Sequence, residues 1–151
     1  MGIKRKIKMK LIVILGPTAS GKTNVALKAA KKFNGEIISA DSRQIYKGMN
    51  IGTAKPPRSQ KSKVKSQKYI VDDIPHYLIN MVYPNEDFNV AIFKKSANKI
   101  IKDIQKRNKL PFLVGGTGLY IKAVVDNIQF PKIKSQVKLR KELEKKSIEK
   151  L

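Results

Sequence analysis

Residues 11–23 read LIVILGPTASGKT, and this stretch decides the fold. Lys10 to Leu15 has the length and apolar run of a short buried strand, and Gly16-Pro17 ends it. Gly16 to Gly21 is then a loop. Lys22 to Phe33 follows as a helix with Val25, Ala26, Ala29, Ala30 and Phe33 on one face. Between this strand and this helix, Gly16 to Thr23 fits the pattern G-x-x-x-x-G-K-[ST]. Glycines let the backbone curl so that successive N–H groups face inward, and the helix N-terminus adds its positive dipole end to an anion held there. Gly16, Pro17, Thr18, Ala19, Ser20, Gly21, Lys22 and Thr23 are therefore expected to hold a nucleotide or a diphosphate. In this cradle the Lys22 ammonium neutralises phosphate oxygens, and the Thr23 hydroxyl is offered to a Mg²⁺ that bridges the same oxygens. A Gly/Ser-rich turn with no ligand is the plainer alternative. A cradle alone does not choose between a kinase, an NTPase and other phosphate chemistry.

Working outward, Asn34-Gly35 stops the helix and Glu36 to Ala40 forms a second strand that ends at Asp41. Lys55 to Lys68, rich in lysine and without acidic residues, reads as a mobile surface loop. A second long helix is signalled by Phe93, Ala97, Ile100, Ile101 and Ile104, with Asn89 as its N-cap and Lys94, Lys95, Lys99, Lys102 and Lys106 on its exposed face. Leu110 to Val114 gives a third strand, which runs into Gly115-Gly116-Thr117-Gly118 and a helix from Leu119 to about Val125. Residues 136–151 form one further, partly exposed helix without a cap. Strands alternating with helices predict an α/β class: a P-loop NTPase-like three-layer fold with a mainly parallel sheet. In such a sheet ligands gather at the carboxyl ends of the strands, so Asp41 should face the same crevice as the first loop. A carboxylate there can hold metal-bound water or accept a proton from a nucleophile, although Asp is also a common turn residue. The Gly115-Gly116-Thr117 turn offers backbone N–H groups and a hydroxyl at a third strand end, or is only a tight connection.

The 151 residues, 41% of them hydrophobic, suffice for one core. Lys and Arg number 33 against 11 Asp and Glu, a formal net charge of +22, which points to a polyanionic partner unless it only reflects a lysine-rich coding bias. The absence of cysteine excludes disulfides and thiolate metal sites. The apolar run after the basic stretch MGIKRKIKMK is too short for a signal peptide, and no segment approaches membrane-spanning length. A cytoplasmic monomer without membrane contact is expected.

Four segments, taken in order, carry a resemblance to a known family: GPTASGKT, DSRQIYKGMNIGTAKP, PHYLIN followed by DFNVAIFKKSA, and LPFLVGGTGLYIKA. From about Leu11 to Ala123 the chain resembles the N-terminal half of the bacterial tRNA dimethylallyltransferases. The resemblance implies transfer of a dimethylallyl group from dimethylallyl diphosphate to the exocyclic amine of the adenosine 3′ of the anticodon, with the tRNA anticodon stem-loop as partner and Mg²⁺ as cofactor. By the same resemblance Asp41 is the catalytic base, Thr117 an orienting residue between base and diphosphate, and Lys22 a stabiliser of the leaving group. Asp41, Ser42, Arg43, Gln44 and Thr117 would contact tRNA, together with Lys138 or Arg140. Family members continue past the length of this chain. The implied organisation is an incomplete α/β core over residues 1–135 and, over 136–151, the start of a helical tRNA-binding insertion.

His76-Tyr77 stands where the family commonly has two histidines, and His76 reads as structural. Two other functional classes compete with the transferase. A small-molecule or nucleotide kinase would consume ATP. An inactive basic RNA-binding fragment would bind tRNA without modifying it.

Overall fold

The computed structural model describes residues 10–59, 69–131 and 136–150. Its elements in chain order are β1 (Ile12–Leu15), α1 (Lys22–Lys32), β2 (Gly35–Ser39), β3 (Tyr69–Val71), β4 (Ile74–Tyr77), α2 (Val90–Lys106), β5 (Leu110–Gly115), α3 (Gly118–Val125) and α4 (Val137–Leu143), followed by a 3₁₀ turn over Ile148–Lys150. The sheet order is β1-β5-β2-β4-β3. The first four of these strands run parallel, and β3 pairs antiparallel with β4. The chain crosses from β1 through α1 to β2 and leaves a place between them that β5 fills. Three strand ends, those of β1, β5 and β2, thus lie side by side.

The two faces of the sheet carry separate cores. On one face Ala26 and Ala30 of α1 let the helix lie close over Ile37, Phe112 and Val114. On the other, Phe93, Ala97, Ile101 and Ile104 of α2 join Tyr120, Ile121 and Val124 of α3 over Ile38 and Leu113. The Phe93 and Tyr120 rings stack with centroids 4.1 Å apart. Each of these large apolar side chains contributes roughly 1.5–3 kcal/mol by leaving water. The result is the three-layer α/β arrangement expected from the sequence.

Several expectations need correcting. Among the described residues β1 is an edge strand rather than a buried one, with Val13 37% and Leu15 59% exposed. On α1 the contact face is narrower than its periodicity suggests: Ala26 and Ala30 are buried, whereas Val25 and Phe33 are more than half exposed. The hairpin of β3 and β4 was not expected at all. Asp72 and Asp73 form its turn with φ of 48° and 64°, the left-handed pair that a two-residue type I′ connection requires. The C-terminal segment is not one helix, since α4 ends at Leu143 and a separate 3₁₀ turn follows. Asn89 caps α2 as expected, its side chain accepting from the N–H groups of Ala91 and Ile92.

Candidate active site

Three loops meet at the carboxyl ends of β1, β2 and β5, and backbone bonds fix their spacing. The Ala40 N–H donates to the Val114 carbonyl at 2.7 Å, the Thr117 N–H to the Ala40 carbonyl at 3.1 Å, and the Gly16 N–H to the Gly115 carbonyl at 3.4 Å. Glycine at 115 is a packing requirement, because a Cβ there would lie 2.1 Å from the Ala40 carbonyl oxygen. The close approach brings the Asp41 and Thr117 loops together. Thr117 Oγ1 accepts from the Ser42 N–H at 3.0 Å and lies 3.4 Å from the Ser42 hydroxyl.

The Gly16–Thr23 loop turns into α1 at Gly21, which has φ 77°. No side chain caps this helix, so its first N–H groups stay directed at the crevice. The Lys22 ammonium folds back over the loop and donates to the Pro17 carbonyl at 2.7 Å. Asp41 is held by its own turn: Oδ1 accepts from the Arg43 N–H at 2.8 Å and the Gln44 N–H at 3.2 Å. Gln44 is the keystone beneath it. Its Oε1 accepts from the Ser39 hydroxyl at 3.0 Å, and its Nε2 donates to the carbonyls of Thr53 and Ala54 at 3.1 and 3.2 Å.

Two cavities open beside Asp41. One, of about 250 Å³, is lined by Thr18, Ala19, Gly21, Lys22, Thr23, Ser39, Asp41 and Gln44 among others. The other, of about 400 Å³, is lined by Pro17, Thr18, Asp41, Ser42, Arg43, Gly52, Thr53, Gly116 and Thr117. Thr18 and Asp41 belong to both, so the carboxylate stands in the wall between a phosphate-type cradle and a roomier polar recess. The first cavity also suits a hydrated Mg²⁺. Thr23 and Ser39 hydroxyls and the Asp41 carboxylate are hard oxygen donors on one surface, and Mg²⁺ takes few protein oxygens while keeping several waters. Among the described residues no group of three or more acidic, His or Cys side chains forms a cage that would hold a metal without a phosphate.

The structure therefore brings together Lys22, Thr23, Asp41, Ser42, Arg43, Gln44 and Thr117, all expected at the site. Lys138 is exposed on α4 and lines neither cavity. Lys55, read as part of a mobile basic loop, is instead half-buried and donates to the Tyr46 carbonyl at 2.5 Å and Asn80 Oδ1 at 2.7 Å. Residues 60–68 of that loop lie outside the described residues. His76 is buried in β4 with Nδ1 3.0 Å from the Ile74 carbonyl, a structural setting, and burial pushes its pKa down. Ser39 and Ala54 are site residues that the sequence reading missed. Ser39 carried a signal, since strand alternation puts a hydroxyl two residues before Asp41 on the same side as that carboxylate, and both line one cavity.

A parallel sheet with a glycine-rich strand-to-helix loop and a carboxylate at the next strand end but one defines an α/β protein of P-loop-like fold. The sequence profile of the IPP transferase family matches residues 44–151, and the chain belongs to that family. It is 50% identical over 143 residues to the tRNA dimethylallyltransferase of Caldicellulosiruptor saccharolyticus, which covers 95% of this chain and 43% of that protein. The structure resembles the full-length tRNA isopentenylpyrophosphate transferase of Bacillus halodurans with a TM-score of 0.70 at 44% identity, over 91% of this chain and 42% of that one. It also resembles a eukaryotic dimethylallyltransferase acting on tRNA, with a TM-score of 0.73 at 33% identity, over 92% of this chain and 33% of that one. The chain thus spans about two fifths of the bacterial relatives it matches.

Proposed function

We propose that this chain carries the chemical centre of a tRNA dimethylallyltransferase, which moves a dimethylallyl group from its diphosphate to the exocyclic amine of the adenosine 3′ of the anticodon. The observation that carries the reading is the placement of Asp41 in the wall shared by the two cavities. A diphosphate on the Gly16–Thr23 loop and an adenine between Ser42, Gly52 and Thr117 would then face each other across one carboxylate.

The chemistry follows from that placement. The adenine amine is a poor nucleophile because its lone pair is delocalised into the ring. As nitrogen bonds to the allylic carbon, the carbon–oxygen bond breaks, diphosphate leaves with the electron pair, and Asp41 accepts the amine proton. The backbone N–H pair on Oδ1 holds the carboxylate in place and leaves Oδ2 for this proton. Thr117, whose Oγ1 is fixed by the Ser42 N–H, orients the base edge. Charge that develops on the departing diphosphate meets the α1 N-terminus and the Lys22 ammonium, once this leaves the Pro17 carbonyl. Mg²⁺ bound near Thr23 would supply further stabilisation of the same charge.

The net charge of +22 suits the anticodon stem-loop as partner, and binding should weaken steeply with salt. No helix among the described residues is long and apolar enough to cross a membrane. A cytoplasmic monomer is the working form we propose, with residues 136–151 opening the helical part that grips RNA.

The test is mass spectrometry of nucleosides from tRNA incubated with the chain, Mg²⁺ and dimethylallyl diphosphate. Isopentenyladenosine is the expected product, and calorimetry should find pyrophosphate binding that drops about 10- to 100-fold in Lys22→Ala. Transfer of the ATP γ-phosphate with dimethylallyl diphosphate ignored would sink the proposal in favour of a kinase.

A further inference from the structure

Ile51 is 98% exposed, more than any other large hydrophobic residue among those described. It sits at the tip of the turn from Gly48 to Ala54, and this turn is pinned. Gly48 and Gly52 bracket the tip with φ of 78° and 72°, conformations that hold a tight reversal. Across its base the Thr53 hydroxyl donates to the Met49 carbonyl at 2.8 Å. The Lys55 ammonium ties the turn to its surroundings through the Tyr46 carbonyl, Asn50 Oδ1 and Asn80 Oδ1. From the other side, Gln44 grips Thr53 and Ala54 with the amide described above. A side chain held out into water by this many bonds is presented to something.

The position tells what. Gly52 and Thr53, the next two residues, line the larger cavity together with Asp41, Arg43 and Thr117. Ile51 therefore stands at the rim of the recess assigned above to the adenine. An adenosine that reaches Asp41 must leave its stack, which opens a gap between the neighbouring bases. Proteins that unstack nucleic acid fill such gaps with an apolar side chain on a rigid support. Met49, 38% exposed on the same turn, widens the apolar edge, and basic Arg43, Lys47 and Arg58 nearby in sequence suit the phosphates on either side.

We infer that Ile51 is a wedge, entering the RNA stack where the target adenosine leaves it and holding that nucleotide turned towards Asp41. The inference rests on the proposed function, since it takes the RNA loop as the occupant of this edge. Gln44 couples the two parts: its side chain holds the wedge turn and its backbone N–H holds the Asp41 carboxylate. Insertion of Ile51 and alignment of the base then depend on one residue.

The experiment uses the whole chain and an anticodon stem-loop RNA with 2-aminopurine in place of the target adenosine. This base brightens when it unstacks, and fluorescence anisotropy of an end label reports RNA binding separately. Wild-type protein should bind and raise the 2-aminopurine signal. Ile51→Ala should keep the RNA affinity within about threefold, because phosphate contacts carry it, yet lose most of the rise, about fivefold. Ile51→Leu should restore it. An Ile51→Ala chain with the full rise overturns the wedge, as would be seen if protein rather than RNA covers this turn. Affinity that falls as far as the signal also overturns it, making Ile51 mere contact surface. Isopentenyladenosine formed in the assay above would in either case leave the proposed function standing, whereas neither product nor RNA binding by wild-type protein would end both.

Discussion

Strand β2 carries one carboxylate near each end, and the fold treats them in opposite ways. Glu36, at the amino end, is 1% exposed and fully engaged. Arg107 donates to both its oxygens at 2.6 and 2.7 Å, Lys109 to Oε1 at 2.9 Å and the Tyr77 hydroxyl to Oε2 at 2.6 Å. Burial alone would push the Glu36 carboxyl up, but the bonds from Arg107, Tyr77 and Lys109 outweigh it and hold the pKa at about 2. Asp41, past the carboxyl end, is only half-buried, has no ion pair among the described residues, and is oriented by two N–H groups of its own turn. A carboxylate saturated by cations closes a fold. One that is oriented but left with a free oxygen towards two cavities is placed to take a proton.

The contrast breaks first at Asp41. Asp41→Asn keeps the shape of the turn and removes the proposed base, so isopentenyladenosine formation should fall by about 10²- to 10⁴-fold. Thermal melting should move little. An unfolded Asp41→Asn chain would instead make Asp41 a structural residue like Glu36.

The mirror experiment is Glu36→Gln. Arg107 and Lys109 are each about one third exposed, 33% and 34%, so they can turn to water once their partner is neutral. The loss should then be about 2 kcal/mol near pH 7, short of the 3–5 kcal/mol for breaking a fully buried pair. Its pH dependence follows from the sign of the shift. The Glu36 pKa is lowered on folding from 4.5 to about 2, so its contribution is complete above 4.5 and is lost as pH falls through about 2. Urea unfolding between pH 6 and about 2 should show the wild-type chain losing stability that Glu36→Gln never had. Parallel curves for the two proteins would remove Glu36 from the list of groups that set the acid limit.

The same pair explains what the sequence could disclose. Asp41 was legible because its clues are local: a strand ending at a carboxylate, in a sheet whose parallel order sends strand ends to one crevice. The Gly16–Thr23 loop and the Asn89 cap of α2 were legible for the same reason, each being complete within a few residues. Glu36 was not, since its partners Arg107 and Lys109 lie 71 and 73 residues away. The placement of β5 between β1 and β2 is likewise a long-range fact, and the exposure of Val13 and Leu15 depends on which face of β1 is covered, since the alternate residues Ile12 and Ile14 pack against the α1-side core. Lys55 misled for a related reason. Composition marks a lysine as surface charge, but its partners, the Tyr46 carbonyl and the Asn80 side-chain Oδ1, are invisible until the turn is folded. The β3–β4 hairpin could have been found, because Asp72-Asp73 between YIV and IPHY is turn chemistry; Pro75 and the brevity of the strands hid it.

The smallest effect tests whether the two ends of β2 are independent. Helix α2 is capped by Asn89 at one end and Arg107 at the other, so its C-cap supplies the cation for Glu36 while its N-cap lies at the opposite end. Asn89→Ala removes the acceptor for two N–H groups and should cost about 1 kcal/mol of global stability, read from urea unfolding. If the Glu36 cluster only braces the fold, that loss should leave the pyrophosphate affinity of the Gly16–Thr23 loop unchanged, because α1 and its loop lie on the other face of the sheet and share no core side chains with α2. A change in affinity beyond about twofold would mean that β5 and β2, which touch both layers, transmit strain from the α2 layer to the Gly16–Thr23 loop. The division drawn along β2 would then be one of degree.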